Sequence, residues 1–441
     1  MAISKRDRIK ADRADRAVKV HKDWYKLDLS AIVYPTLQRR DFSSVYRLSV
    51  LLKEEIDPEM LQRAVNLTMP RFPTYKAAIR KGVFWRYLEP NDRPGPFVQE
   101  DVKNPCQPMY FKGNNRYLVR IYYYRNRIAL EAHHSLGDGT GGMCVLQTLT
   151  ATYLRLRGHT EIENGGFVLD ILGTPDPGEL EDAYMKYANA KVCPPRPGEK
   201  TYRVRGTKEP FYTLNIIDGI MSVAEVMKVA KSYNATITEY LNAVLLYALM
   251  QKQESEWHLK LRPVKIAMPV NLRRFFPSKT LRNFITMIYP GIDPRLGEYT
   301  FEEIVTQVHN YMRYYLNEKL LRGDITTNAE TQRNPFIRIV PLFIKDLVVR
   351  QFYTKIQDKN SSAGLTNMGA LKVPETMKPY IERFDIYMGQ PFSTRTNCAI
   401  ASFEDILTIN FASSIAETDV ERLFFRKLVQ DGIHVKIESN R

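Results

Sequence analysis

The sequence predicts a layered α/β fold, of the α+β kind, arranged as two domains. Three observations carry this. At 441 residues the chain exceeds what one compact core usually holds. Short segments with the period of a strand are interspersed with longer helical ones. Between them, residues 172–205 are rich in Pro and Gly, with GTPDPGEL and CPPRPGEK interrupting regular structure. The expected division is an N-terminal domain over 1–190, a linker over 172–205 and a C-terminal domain over 206–441.

In the first half, SVYRLSVLL (44–52) alternates as a strand does. Asp57-Pro58 then sets a capping carboxylate before a proline at the first helical position. That helix runs to about Met69 and stops at Pro70. RYLVRIYYY (116–124) and RIALEAHH (127–134) read as a hairpin around Arg125-Asn126. GGMCVLQTLTATYLRL, ending before Gly158, reads as a helix. In the second half FYTLNII (211–217) opens as a strand. Capping boxes at Ser222/Glu225, Thr236/Glu239, Thr300/Glu303 and Thr418/Glu421 announce helices. VKIAMPVN (264–271) reads as a buried strand, and TRTNCAIASF with ILTINFA as a hairpin around Glu404-Asp405. The last helix ends near Gly432, and IHVKIE closes as a strand. Residues 333–350 mix aliphatic and cationic side chains. A core-facing helix is the expectation there, with contact to an acyl chain or a membrane surface as the alternative.

Composition restricts the function classes. Hydrophobic residues at 44% supply a packed interior and exclude a disordered chain. The formal charge of +15 favours an anionic partner, such as a phosphorylated ligand or a membrane. It does not choose among them, and no nucleic-acid motif accompanies it. Cys106, Cys144, Cys193 and Cys398 form no C-x-x-C pair, so reduced thiols and a cytoplasmic protein without a zinc site are expected. The basic N-terminus lacks the apolar stretch of a secretory signal. The longest apolar run, 243–250, is too short to span a bilayer.

The chemistry concentrates in HHSLGDG (133–139). His134 ends a strand and Asp138 precedes a helix, so both sit where a loop projects into a cleft. A histidine is substantially neutral at cytosolic pH and accepts a proton there. Gly137, Gly139, Gly141 and Gly142 permit tight turns and close approach of a ligand. Asp138 is placed to cap the helix, to hold an arginine that fixes the loop, or both. A single histidine at a strand end is ordinarily structural; two histidines, an aspartate and glycines at fixed spacing are more specific. His133 and His134 face opposite sides of one strand, which disfavours a shared metal. No G-x-S-x-G elbow exists for a serine hydrolase.

HHSLGDG matches the H-H-x-x-x-D-G signature of the superfamily of chloramphenicol acetyltransferases, condensation domains, wax ester synthases and alcohol acetyltransferases. WYKLDLSAIVYP (24–35), RFPTYKAAI (71–79), PVNLRRFFPSKTLRNF (269–284) and SSAGLTNMG (361–369) resemble the alcohol-acetyltransferase-like branch. The resemblance implies two chloramphenicol-acetyltransferase-like domains with an active-site channel at their interface. It implies transfer of an acyl group, acetyl in that branch, from acyl-CoA to a hydroxyl or amine of a small-molecule or lipid acceptor. His134 would be the general base, acyl-CoA a co-substrate, and no cofactor tightly bound. Asp138 would be structural, with Arg273 its partner or a channel residue, Asn271 lining the channel, and Gly139 letting the CoA or carrier arm pass. A condensation-type enzyme using a carrier-protein thioester and a non-catalytic binding relative are the alternatives. Where plant relatives carry D-F-G-W-G, this chain has Asp385 to Pro391 without the aromatic and first glycine. Asp385 and Gly389 are structural at best.

Overall fold

The computed structural model describes residues 24–38, 42–191, 199–210, 213–256, 258–355, 360–389 and 394–441. The basic N-terminal arm, Cys193, and the Gln390-Pro391 end of the late motif lie outside them. The strands are β1 (Tyr25–Lys26), β2 (Val45–Leu52), β3 (Ala77–Lys81), β4 (Arg86–Pro90), β5 (Val98–Glu100), β6 (Val119–Tyr124), β7 (Arg127–His133), β8 (Asn215–Ser222), β9 (Val264–Asn271), β10 (Ile285–Ile288), β11 (Gly291–Ile292), β12 (Ala363–Ala370), β13 (Ile381–Met388), β14 (Thr396–Phe403), β15 (Ile406–Ser413) and β16 (Lys436–Ser439). The helices are α1 (Tyr34–Leu37), α2 (Pro58–Thr68), α3 (Gly139–Leu156), α4 (Ala183–Tyr187), α5 (Val223–Ser232), α6 (Ile237–Ser255), α7 (Phe301–Tyr315), α8 (Glu318–Arg333), α9 (Pro335–Ile339), α10 (Leu342–Lys355) and α11 (Asp419–Gln430).

Local chemistry explains the boundaries. Asp57 Oδ1 accepts from the Glu59 and Met60 amides and so starts α2. Thr236 and Thr300 each form a complete capping box, with Glu239 and Glu303. Ser222 caps α5 from its hydroxyl, while Glu225 turns to His434. Thr418 makes no cap bond: Glu421 points inward and accepts from Thr396. The β6 strand starts at Val119 rather than 116, because Asn114, Asn115 and Arg116 all take left-handed φ. Of the strand expected over 211–217, residues 211–212 lie outside the described ones, and the strand observed runs from Asn215 to Ser222. VKIAMPVN forms β9, but only its alternate residues are fully buried.

Two main sheets result. The first has the order β13-β2-β7-β6-β5, antiparallel but for β5-β6. The second has the order β10-β9-β12-β14-β15-β8-β16, with β11 also on β9 and β12 parallel to both its neighbours. A small sheet, β1-β4-β3, stands apart. Helix α3 packs with α2 against β2 and β7, and α6 packs with α7 and α11 over the second sheet. The first sheet draws β13 from late in the chain. The core beneath it reaches into β14 through Ala399, Ala401 and Phe403. No helix among the described residues is long and apolar enough to cross a membrane.

Residues 333–350 do not form a core-facing helix. Pro341 separates α9 from α10, and the apolar side chains point outward: Phe336 is 78% exposed and Phe343 73%. The carboxylate Asp346 takes the inner face instead. Asp346 pairs with Arg86 at 2.6 Å and accepts from Thr36, and Arg350 donates to the Thr36 carbonyl.

Candidate active site

The site is built where β7 runs out. His133 is the last residue of β7, paired with Val45. The His134 amide donates to the Ser44 carbonyl one step further on. Consecutive residues of a strand face opposite ways, so the two rings part company. His133 is buried, with Phe111 edge-on to its ring and the Ser135 amide on its Nδ1. Burial, then the neighbouring His134, depresses its pKa to about 3.

His134 is only partly buried. Tyr34 stacks on it at 4.8 Å between ring centres, and Tyr46 tilts against it at 4.6 Å. This aromatic packing desolvates the ring and depresses its pKa to about 4. The charge of Asp138, the Asn283 side chain and the Gly137 backbone pull it the other way. The imidazole is therefore neutral at physiological pH and able to accept a proton.

Asp138 is fully engaged away from that ring. Its Oδ1 accepts from the Thr140 and Gly141 amides and caps α3. Its Oδ2 accepts from Arg273 Nη1 at 2.8 Å and from the Phe284 amide at 2.9 Å. Four donors satisfy one carboxylate, and none of them belongs to His134. Arg273 is held in turn by the Thr280 carbonyl and by Asn271 Oδ1. Asn271 Nδ2 donates to Thr140. One loop of the second half, from Asn271 to Phe284, thus clamps the motif of the first half.

The glycines serve close approach rather than turning. None of Gly137, Gly139, Gly141 and Gly142 has a left-handed φ. A Cβ on Gly141 would overlap the Leu281 carbonyl oxygen, and one on Gly142 would lie 2.6 Å from the Tyr46 hydroxyl. Gly139 faces Met368 from the late SSAGLTNMG segment. Asp385 is buried beside Arg383, far along the chain from the motif. The Gly389 amide bonds the Val45 carbonyl.

Sequence patterns did not single out the groups that support His134. Asn283 Nδ2 donates to the His134 carbonyl at 2.9 Å and to buried Asp28 at 3.0 Å. Burial raises the Asp28 pKa, against the pull of Arg282. The Tyr46 hydroxyl donates to the Asp138 carbonyl and lies 3.3 Å from that of Tyr75. Asp28, Tyr34, Tyr75 and Asn283 all fall within the segments that carry the resemblance, which was the available signal. No group of His, Cys, Asp or Glu among the described residues is placed to hold a metal ion.

The fold is the two-domain α/β fold of chloramphenicol-acetyltransferase-like and condensation proteins. The chain is similar over 95% of its length to the whole of F. sporotrichioides TRI101 complexed with coenzyme A and T-2, at 11% identity and a TM-score of 0.61. It is similar over 93% of its length to 96% of the first condensation domain of the calcium-dependent antibiotic synthetase, at 14% identity and a TM-score of 0.60. A wax ester synthase/diacylglycerol acyltransferase from Marinobacter aquaeolei VT8 matches over 92% of this chain and 100% of its own, at 13% identity and a TM-score of 0.54. No family model and no curated protein matches the sequence.

Proposed function

We propose that the protein is an acyltransferase that moves an acyl group from acyl-CoA to a hydroxyl or amine, with His134 as general base. The observation that carries this is a neutral, partly exposed imidazole beside an aspartate engaged elsewhere. It is supported by a fold shared with proteins solved with coenzyme A and with C8-CoA.

In the reaction the acceptor hydroxyl or amine attacks the thioester carbonyl as the His134 ring takes its proton. The carbon–sulfur bond of the tetrahedral intermediate then breaks. The imidazolium returns the proton to the departing thiolate, giving free CoA and the acylated acceptor. No covalent acyl-enzyme is needed. Asp138 and Arg273 position the loop, and Asn271 braces it. Acetyl transfer to an alcohol is the first chemistry to test.

His134→Ala is expected to lower release of CoA thiol by about 10²–10⁴-fold without unfolding the protein. Unchanged turnover would exclude His134 as the base. A carrier-protein thioester is the second donor to consider, because the condensation-domain fold matches as well as the CoA-complexed one. Mass spectrometry of products from mixed acyl-CoA and acceptor pools separates the two. Turnover of free acyl-CoA favours the first donor, and turnover only of a phosphopantetheinyl carrier favours the second.

A further inference from the structure

Helices α9 and α10 leave large apolar side chains exposed to solvent. A helix on a globular protein normally turns its apolar stripe inward. Here Asp346 of α10 faces inward to Arg86 and Thr36, while Arg350, one turn on, is exposed and only its Nε reaches back to the Thr36 carbonyl. Phe343 and Leu347, also one turn apart, face solvent at 73% and 60% exposure. Phe336 and Ile339 of α9 are likewise exposed.

The β3–β4 connection enlarges this surface. The Leu342 amide donates to the Val83 carbonyl, and Lys345 Nζ donates to the Phe84 carbonyl. The tip of that hairpin is therefore fastened beside α10, with Val83 72% exposed and Trp85 46%. Contiguous exposed apolar surface of this kind marks an interaction site.

Charge decides the partner. Residues 333–350 hold four cations, Arg333, Arg338, Lys345 and Arg350, and one carboxylate, Asp346. That carboxylate is neutralised on the inner face by Arg86. The outer face is thus apolar side chains among cations, on a chain of net charge +15. A protein partner would need an apolar, acidic face of matching shape. An anionic bilayer supplies both properties without shape: acyl chains for the aromatics and headgroups for the cations.

We propose that α9, α10 and the β3–β4 tip form a docking face for an anionic lipid bilayer. Docking there places α10 at the membrane and α1 directly behind it, through the Asp346–Thr36 bond. Tyr34 at the start of α1 stacks on His134, so the docked face adjoins the candidate site. The proposal does not depend on the reaction assigned to that site.

The test is flotation of the full chain with vesicles. One set is equal parts phosphatidylcholine and phosphatidylglycerol, and the other is phosphatidylcholine alone. The expected result is binding to the mixed vesicles that weakens with salt, and much weaker binding to the neutral ones. Phe343→Ser with Leu347→Ser should lower that binding by roughly tenfold or more. Both side chains are exposed, so an unchanged melting temperature shows that the fold is retained. Trp85 emission should shift to the blue on binding, and Trp85→Phe should remove that shift. Failure of the wild-type chain to float with either vesicle overturns the proposal. So does equal binding by the double variant, or a self-associated chain that the double variant makes monomeric and that ignores vesicles.

Discussion

At the scale of single residues, the proposed chemistry rests on a neutral His134 and on the clamp between Asp138 and Arg273. Because packing lowers the His134 pKa to about 4, the base form persists well into mild acid. Initial rates measured just after a pH jump should therefore hold nearly constant from neutral pH down to about 5, then fall. A half-maximal rate near 6.5 would show an ordinary solvated histidine instead. The stability effect has its own sign. An unfolded histidine takes up a proton near pH 6.5, while folded His134 and His133 resist until about 4 and 3. Between those values the unfolded chain binds more protons, so stability drops as pH falls from 6.5 towards 4. Equilibrium denaturation across that range should show the loss, and His133→Phe should shrink it. Asp138 behaves differently. Asp138→Ala leaves the nearly buried Arg273 without its counter-charge and is expected to cost about 3–5 kcal/mol. Asp138→Asn keeps the cap on α3 and should cost less. If the alanine variant melted like the wild type, the clamp would not hold the loop. The local part of this site was legible: HHSLGDG is contiguous, and Arg273 stood out as a cation just past a strand. Asn283 was not, because it reaches His134 across 149 residues, and no local pattern encodes such a contact.

At the scale of elements, sequence signals worked where the interaction is local. The Thr236 and Thr300 boxes close within four residues, and the structure contains both. Thr418 and Glu421 have the same spacing, but Glu421 finds a better partner in Thr396 on another element. Residues 333–350 fail for a related reason. Mixed aliphatic and cationic residues mark a helix without saying which side is buried, and the pair Asp346–Arg86 decides which side turns inward. Helix α3 offers a test with an unusual sign. Gly→Ala inside a helix ordinarily stabilises by about 1 kcal/mol. At Gly141 the added methyl would meet the Leu281 carbonyl, which belongs to the clamping loop. Overlap of that kind costs about 1–3 kcal/mol, so it outweighs the propensity gain. Gly141→Ala should lower the melting temperature and depress turnover as the loop shifts. A more stable, fully active variant would show that the loop gives way without consequence.

At the scale of the whole molecule, β13 joins the two halves. Its backbone pairs with β2 in the first sheet from Ile381–Leu52 to Met388–Tyr46, with a shift of register between Ile381 and Arg383. Side chains of the second sheet seize the same strand. Thr408 donates to the Phe384 carbonyl, and Asn410 Oδ1 accepts from the Ile386 amide. The Tyr387 hydroxyl reaches Asp218 of β8 at 2.9 Å, and Phe384 meets Phe403 edge-on. Burial, then the neighbouring Asp385 carboxylate, raises the pKa of the Asp218 carboxyl. Composition and period pointed to two layered halves, but nothing in the sequence assigned residues 381–388 to the first sheet. Strand order is set by contacts across hundreds of residues, not by local pattern. The consequence is cooperative unfolding. Phe384→Ala opens a cavity beneath both sheets and should cost about 3–5 kcal/mol. If β13 couples the halves, calorimetry of this variant will show one transition moved to lower temperature. Hydrogen exchange will then speed up in β2 and in β15 together. Two resolved transitions, with only one displaced, would mean that each half holds its own fold and that β13 merely bridges them. The expected outcome is the single transition, because removing the strand would leave β2 unpaired on one edge and the Thr408 and Asn410 side chains without their backbone partners.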